Sequence, residues 1–75
     1  MERKPVISSN IRNIGYDPLT SDIEIEFKSG AVYRYYGVPA ELYHEMIAAE
    51  SVGRYFSQAV KPRFAFERID KVEAA

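Results

Sequence analysis

Two groups of residues in this chain carry side chains able to hold a ligand. Tyr33, Tyr35 and Tyr36 fall within four positions, and a sheet can present such rings as a stacking platform, because every nucleic-acid base has a π-face. Arg12, Arg34, Arg54, Lys61 and Arg63 supply cations able to follow a phosphate backbone. The chemistry these groups share is recognition of single-stranded nucleic acid, and Arg12, Arg34, Tyr36, Arg54, Lys61 and Arg63 are its candidate contacts. Scattered cations are also what an ordinary solvated surface carries, and that reading competes with the first.

Reactive chemistry is poorly provided for. His44 is the single histidine and falls away from the apolar stripe of its helix, and no cysteine exists to act as nucleophile or soft metal ligand. Ser8 and Ser9 have no evident base. Asp17, Asp22, Glu24 and Glu26 could meet a hard cation, but Glu24 and Glu26 alternate along a wet strand face instead of converging from a loop. The chain therefore reads as non-enzymatic, with no catalytic residue, no cofactor and no metal.

The elements that position these residues follow from hydrophobic period. Ile23, Ile25 and Phe27 alternate with Glu24, Glu26 and Lys28, and Tyr33 and Tyr35 alternate with Arg34, so both runs are strands with one wet face. Gly30 supplies the positive φ for a three-residue Lys28-Ser29-Gly30 hairpin loop, pairing Phe27 with Ala31, Ile25 with Tyr33 and Ile23 with Tyr35. A two-residue loop would set Arg34 against Ile25, which a half-buried sheet disfavours. The chosen register puts Glu24 opposite Arg34 on the wet face, shared with Val32 and Tyr36. It also sends Tyr33 and Tyr35 to the apolar face, where core packing with bonded hydroxyls is the preferred reading.

Ser8 to Asp17 reads as a first strand with Ile14 and Tyr16 on one face, and the odd spacing of Ile11 predicts a bulge near Arg12-Asn13 or a strand starting after it. Asp17 to Asp22 is turn chemistry around Pro18. Pro39 opens a helix running to about Ala49, striped by Leu42, Tyr43, Met46 and Ile47. Ser51 caps a second helix carrying Val52, Tyr55, Phe56, Ala59 and Val60, which Pro62 ends. Arg63 to Ile69 has brief alternation compatible with an extra strand, and Asp70 to Ala75 reads as frayed.

At 75 residues and 47% hydrophobic, the chain is one domain near the lower size for an unaided core. The expected fold is α+β: a three-stranded antiparallel meander followed by two helices on one face, with room for a C-terminal strand. No apolar run spans a membrane and Met1 to Pro5 opens no signal peptide, so the expected setting is the cytoplasm with no membrane partner. Net charge is −1, divided as +2 over residues 1–12, −5 over 13–52 and +3 over 53–71. A basic patch built from both ends is one reading and a mixed solvated surface the other.

Read in order, Ser8-Ser9-Asn10-Ile11, Ile14-Gly15-Tyr16-Asp17, Phe27 with Gly30, Tyr33-x-Tyr35, Val38-Pro39 and Ser51-x-Gly53-x-Tyr55-Phe56 together resemble the KTSC domain. That family is named for the C-terminal domain of some lysyl-tRNA synthetases and also occurs as small stand-alone bacterial proteins. The resemblance spans residues 7–61. It implies structural roles for Gly30, Tyr33, Tyr35, Pro39, Gly53, Tyr55 and Phe56, and the synthetase attachment points to RNA as partner. The tail, residues 62–75, departs from the family pattern. Phe64 and Phe66 share one side of an extended segment, so something should cover them: a return to the edge of their own sheet, which is preferred, or a protein partner such as a second copy.

Overall fold

A computed structural model describes residues 2–70 of the chain. At its centre is the expected hairpin. β3 (Asp22–Phe27) and β4 (Val32–Tyr35) pair antiparallel with Ile23 opposite Tyr35, Glu24 opposite Arg34 and Ile25 opposite Tyr33. Phe27 N–H donates to Ala31 C=O at 2.8 Å, and Gly30 N–H to Phe27 C=O at 2.9 Å, closing the three-residue loop. Gly30 sits at φ +101°, which side-chain-bearing residues rarely adopt.

β2 (Ile11–Asp17) pairs with β3, and its register slips between Ile11 and Asn13. The extra residue lets Ile11 and Ile14 both reach the core, at 0% and 1% exposure. The strand starts at Ile11 and not at Ser8 as expected. Ser8 Oγ accepts from the N–H of Asn10 at 3.4 Å and of Ile11 at 3.3 Å, and a hydroxyl that captures backbone donors in this way competes with the ladder.

The sheet has five strands in the order β1-β2-β3-β4-β5, all antiparallel, in place of the expected three. β1 (Arg3–Pro5) pairs with β2, and β5 (Phe66–Arg68) pairs with β4. β1 escaped the sequence reading because three polar or imino residues carry no period, yet an edge strand can hold a proline where a central one cannot. β5 realises the extra C-terminal strand over Phe66–Arg68 alone: Arg63 and Phe64, expected in the same extended segment, donate their N–H groups to Val60 C=O at 3.1 and 3.2 Å and belong to the turn that follows the helix. Tyr36 N–H donates to Ala65 C=O at 2.9 Å and Ile69 N–H to Val32 C=O at 2.8 Å, so the tail is stitched to β4 at both ends.

That return corrects two assignments. Val32, expected on a wet face, is buried once Ile69 and Asp70 lie beside its backbone. Asp70, expected as the start of a frayed end, accepts from Val32 N–H at 3.0 Å and from Arg68 Nε at 2.7 Å. The remainder of the expected frayed segment, 71–75, lies outside the described residues.

α1 (Ala40–Ala48) begins one residue later than expected, with Pro39 as its N-cap at φ −60° and ψ 146°. Met46 is fully buried and Leu42 and Tyr43 half-buried, but Ile47, counted in the apolar stripe, is 41% exposed. α2 (Val52–Tyr55) is capped as expected, Ser51 Oγ accepting from Arg54 N–H at 3.3 Å. It then widens into a π-helical turn over Phe56–Val60, with Lys61 N–H donating five residues back to Phe56 C=O. Residues four apart drift around an α-helix and drift the opposite way around a π-turn. The change of pitch therefore returns Val60 to the line of Val52 and Phe56, and all three are buried against the sheet. The core they complete contains Ile11, Ile14, Ile23, Ile25, Tyr35, Val38 and Met46.

Candidate nucleic-acid interface

Between the helix-covered sheet face and the π-turn runs a groove of about 360 Å³, lined by Phe27, Tyr33, Tyr35, Phe56 and Phe66, with Asn10, Ser29, Ala31, Ser57 and Lys61 around them. Strand alternation points Tyr33 and Tyr35 into it, and the pairing of Phe66 with Tyr35 carries the Phe66 ring to the same face. The rings form one connected set. Tyr35 meets Phe56 edge-on at 5.2 Å and Phe66 at 5.3 Å with planes 30° apart, while Phe27 meets Tyr33 edge-on at 5.8 Å. Such pairs each add about 0.5–1.5 kcal/mol beyond area burial, so the inner rings are stiffly held.

Exposure grades along this set. Tyr35 is 3% exposed and Phe56 is equally buried, Tyr33 is half-buried, and Phe66 stands 55% exposed although it leans on both tyrosines. Burial, with a smaller contribution from Tyr33, pushes the Tyr35 phenol above its ordinary value. Among the described residues neither the Tyr33 nor the Tyr35 hydroxyl has a protein hydrogen-bond partner, contrary to the bonded hydroxyls expected.

On the opposite face Arg34 is committed to carboxylates. Its Nη2 and Nε reach Asp22 Oδ2 at 3.0 and 3.2 Å, and its Nη1 reaches Glu24 Oε2 at 3.3 Å. The bond to Asp22 is the main reason its guanidinium is held still further above its ordinary value. Asp22, read as a turn residue, is buried at 8% exposure because this cation neutralises it. Tyr36 donates to Glu67 at 2.6 Å, which raises its phenol pKa. Arg34 and Tyr36 thus lie together, in acidic company.

The other cations are dispersed. Arg12 donates to Lys28 C=O at 3.2 Å at the hairpin base, and Arg63 lies 5.7 Å from the Phe64 ring centre. Arg54 flanks a shallow surface hollow with Glu50, Ser51, Tyr55 and Gln58. Tyr55 donates to Glu45, which raises its phenol pKa and ties α2 to α1. Of the six candidate contacts, Lys61 alone lines the aromatic groove. Asn10, Ser57 and Phe66 were not among those candidates. Phe66 carried the clearest signal, an aromatic ring in a short amphipathic tail, while Asn10 and Ser57 carried none.

A Cβ at Gly53 would stand 2.7 Å from Asn10 Oδ1, the tip of an exposed side chain that would have to shift to admit it. The Asn10 amide lies beside α2 and accepts from the Ser8 hydroxyl at 3.1 Å. His44 is exposed beside Tyr43. Among the described residues no helix is long and apolar enough to cross a membrane.

Residues 7–64 match the family model of the KTSC domain. A crystal structure of a KTSC domain protein from Yersinia pestis superposes with a TM-score of 0.88 at 40% identity, covering 91% of this chain and 96% of that one. An uncharacterised protein of Stutzerimonas stutzeri is 45% identical over 71 residues, which is 93% of this chain and all of the relative. A lysine–tRNA ligase of Nostoc sp. is 36% identical over 61 residues, 81% of this chain but 11% of that enzyme.

Proposed function

Given that this chain belongs to the KTSC domain family, we propose that it is a small non-enzymatic binding module that takes single-stranded RNA into the aromatic groove. The observation carrying this reading is Phe66, a ring 55% exposed and braced by Tyr33 and Tyr35, in the same groove as Lys61. An exposed ring on a rigid aromatic base is a stacking surface, and Lys61 is in place to meet the adjoining phosphate. Arg12, at the base of the hairpin whose Ser29 and Ala31 line the groove, extends the phosphate path. Arg34 and Tyr36 belong instead to the acidic face and hold the fold. The occurrence of a similar segment within a lysine–tRNA ligase supports an RNA partner.

A protein-interaction or self-associating module acting through Phe64 and Phe66 is the weaker alternative. β5 pairs with β4 on one side and is the edge of the sheet, but it is three residues long, a short row to offer a partner.

Fluorescence polarisation of a labelled single-stranded RNA tests the reading. With about two phosphate contacts, affinity should fall about fivefold between about 50 and 150 mM salt. Phe66→Ala should weaken binding by about 1–3 kcal/mol without changing that slope, and Lys61→Gln should flatten the slope by about 0.7. Equal affinity of the wild type and Phe66→Ala for RNA would overturn the proposal, and a salt-insensitive apolar partner would favour the alternative.

A further inference from the structure

A second groove, of about 540 Å³, runs along the other edge of the sheet. One wall is β1 and the chain after it, from Lys4 to Ile7; the other is the end of α1, with Ile47 and Glu50; buried Ile14 and Val52 form the floor. Two large apolar side chains stand in water beside it, Ile7 at 98% exposure and Ile47 at 41%. Lys4 and Glu50, on opposite walls, make no ion pair among the described residues.

We infer that this groove receives a second copy of the same chain. The face contains both a knob, Ile7, and a hollow lined with aliphatic side chains, so it is complementary to itself. A two-fold axis running along the groove sets the Lys4 wall of each copy against the Glu50 wall of the other, which pairs both charges twice. A partner of unrelated sequence would have to supply knob, hollow and both charges in this order; symmetry supplies them at once. Pro5 lacks an N–H, so the pairing is groove to groove and not an extension of the sheet across β1. The interface is distinct from the aromatic groove and does not depend on RNA binding.

Sedimentation equilibrium on the full chain tests this. The mass should rise from monomer toward dimer between about 5 and 500 µM, the range expected of a small interface. Ile7→Asp should weaken association at least about tenfold, with the monomer's circular dichroism unchanged, because Ile7 is in water in the monomer. Lys4→Glu and Glu50→Lys should each weaken it, since each homodimer then juxtaposes like charges. Mixed together, the two variants should associate more tightly than either alone, because their heterodimer restores both opposite-charge pairs. That recovery separates pairing across the interface from any effect within one chain. A monomer throughout the range, a dimer indifferent to Ile7→Asp, or a mixture no tighter than its components would each overturn the inference.

Discussion

A Cβ at Gly53 would meet Asn10 Oδ1 at 2.7 Å and Ser8 Oγ at 3.3 Å, so the residue's role is settled by its neighbours and not by its own backbone angles. Turning Asn10 away would break the exposed bond its amide oxygen accepts from Ser8 O–H, which water can replace, while the Ser8 oxygen keeps its two backbone N–H groups. Gly53→Ala should therefore be close to neutral in the wild type, the loss of that bond at about 0.5–1.5 kcal/mol offset by about 0.5–1 kcal/mol of helix propensity. In an Asn10→Ala background, where no amide has to move, the same change should stabilise by about 0.5–1 kcal/mol. Urea midpoints of the four proteins in this double-mutant cycle check the coupling, and additive costs would refute it. The glycine was readable in the sequence as part of a motif, but its partner was not, since 43 positions separate Gly53 from Asn10.

At the scale of elements, β5 is three residues long with all three exposed, too short to owe its place to burial of its own side chains. Its far end is fastened by Asp70, whose carboxyl is held down to about 2 from 3.8, first by the Arg68 guanidinium and then by Val32 N–H. A carboxylate lowered on folding stabilises the folded state fully above its unfolded value and loses that contribution as pH falls toward the folded one. The window is therefore from about pH 4 down to about pH 2. Asp70→Asn should melt lower than wild type at neutral pH, with the gap constant down to about pH 5 and closing toward about pH 2. Melting curves across that range check it; a gap that does not change with pH would show that the charge is not what fastens the strand. The alternation of Arg63 to Ile69 made a strand legible, whereas the capture of Val32 by Asp70 lay beyond any local pattern.

For the whole molecule, the helices are inserted in the chain between β4 and β5, two strands that are neighbours in the sheet. A chain ending at Lys61 would lose β5, bare the β4 edge and uncover Tyr33, Tyr35 and Val32. It should lose on the order of 2–4 kcal/mol, the scale of one or two large apolar side chains, and its free edge should make it prone to association. Thermal melts of the truncated chain at two concentrations check both effects. Unchanged stability would mean that the tail contributes nothing to the core.

The hairpin register, the bulge near Asn13, the Ser51 cap and the α+β class were all legible in the sequence, because each is set by contacts a few residues long: strand alternation, a positive-φ glycine, a capping hydroxyl. What the sequence could not decide was where the ends of the chain come to rest. β1 and β5 are edge strands whose pairing is chosen by the free hydrogen-bonding rows of β2 and β4, and those rows exist only once the meander has formed. Likewise the aromatic groove depends on β5 bringing Phe66 beside Tyr35. The fate of Arg34 depends on a buried Asp22 that looked, in one dimension, like a turn residue. Local chemistry determined the elements; the tertiary structure decided which side chains were consumed in holding them and which were left facing water.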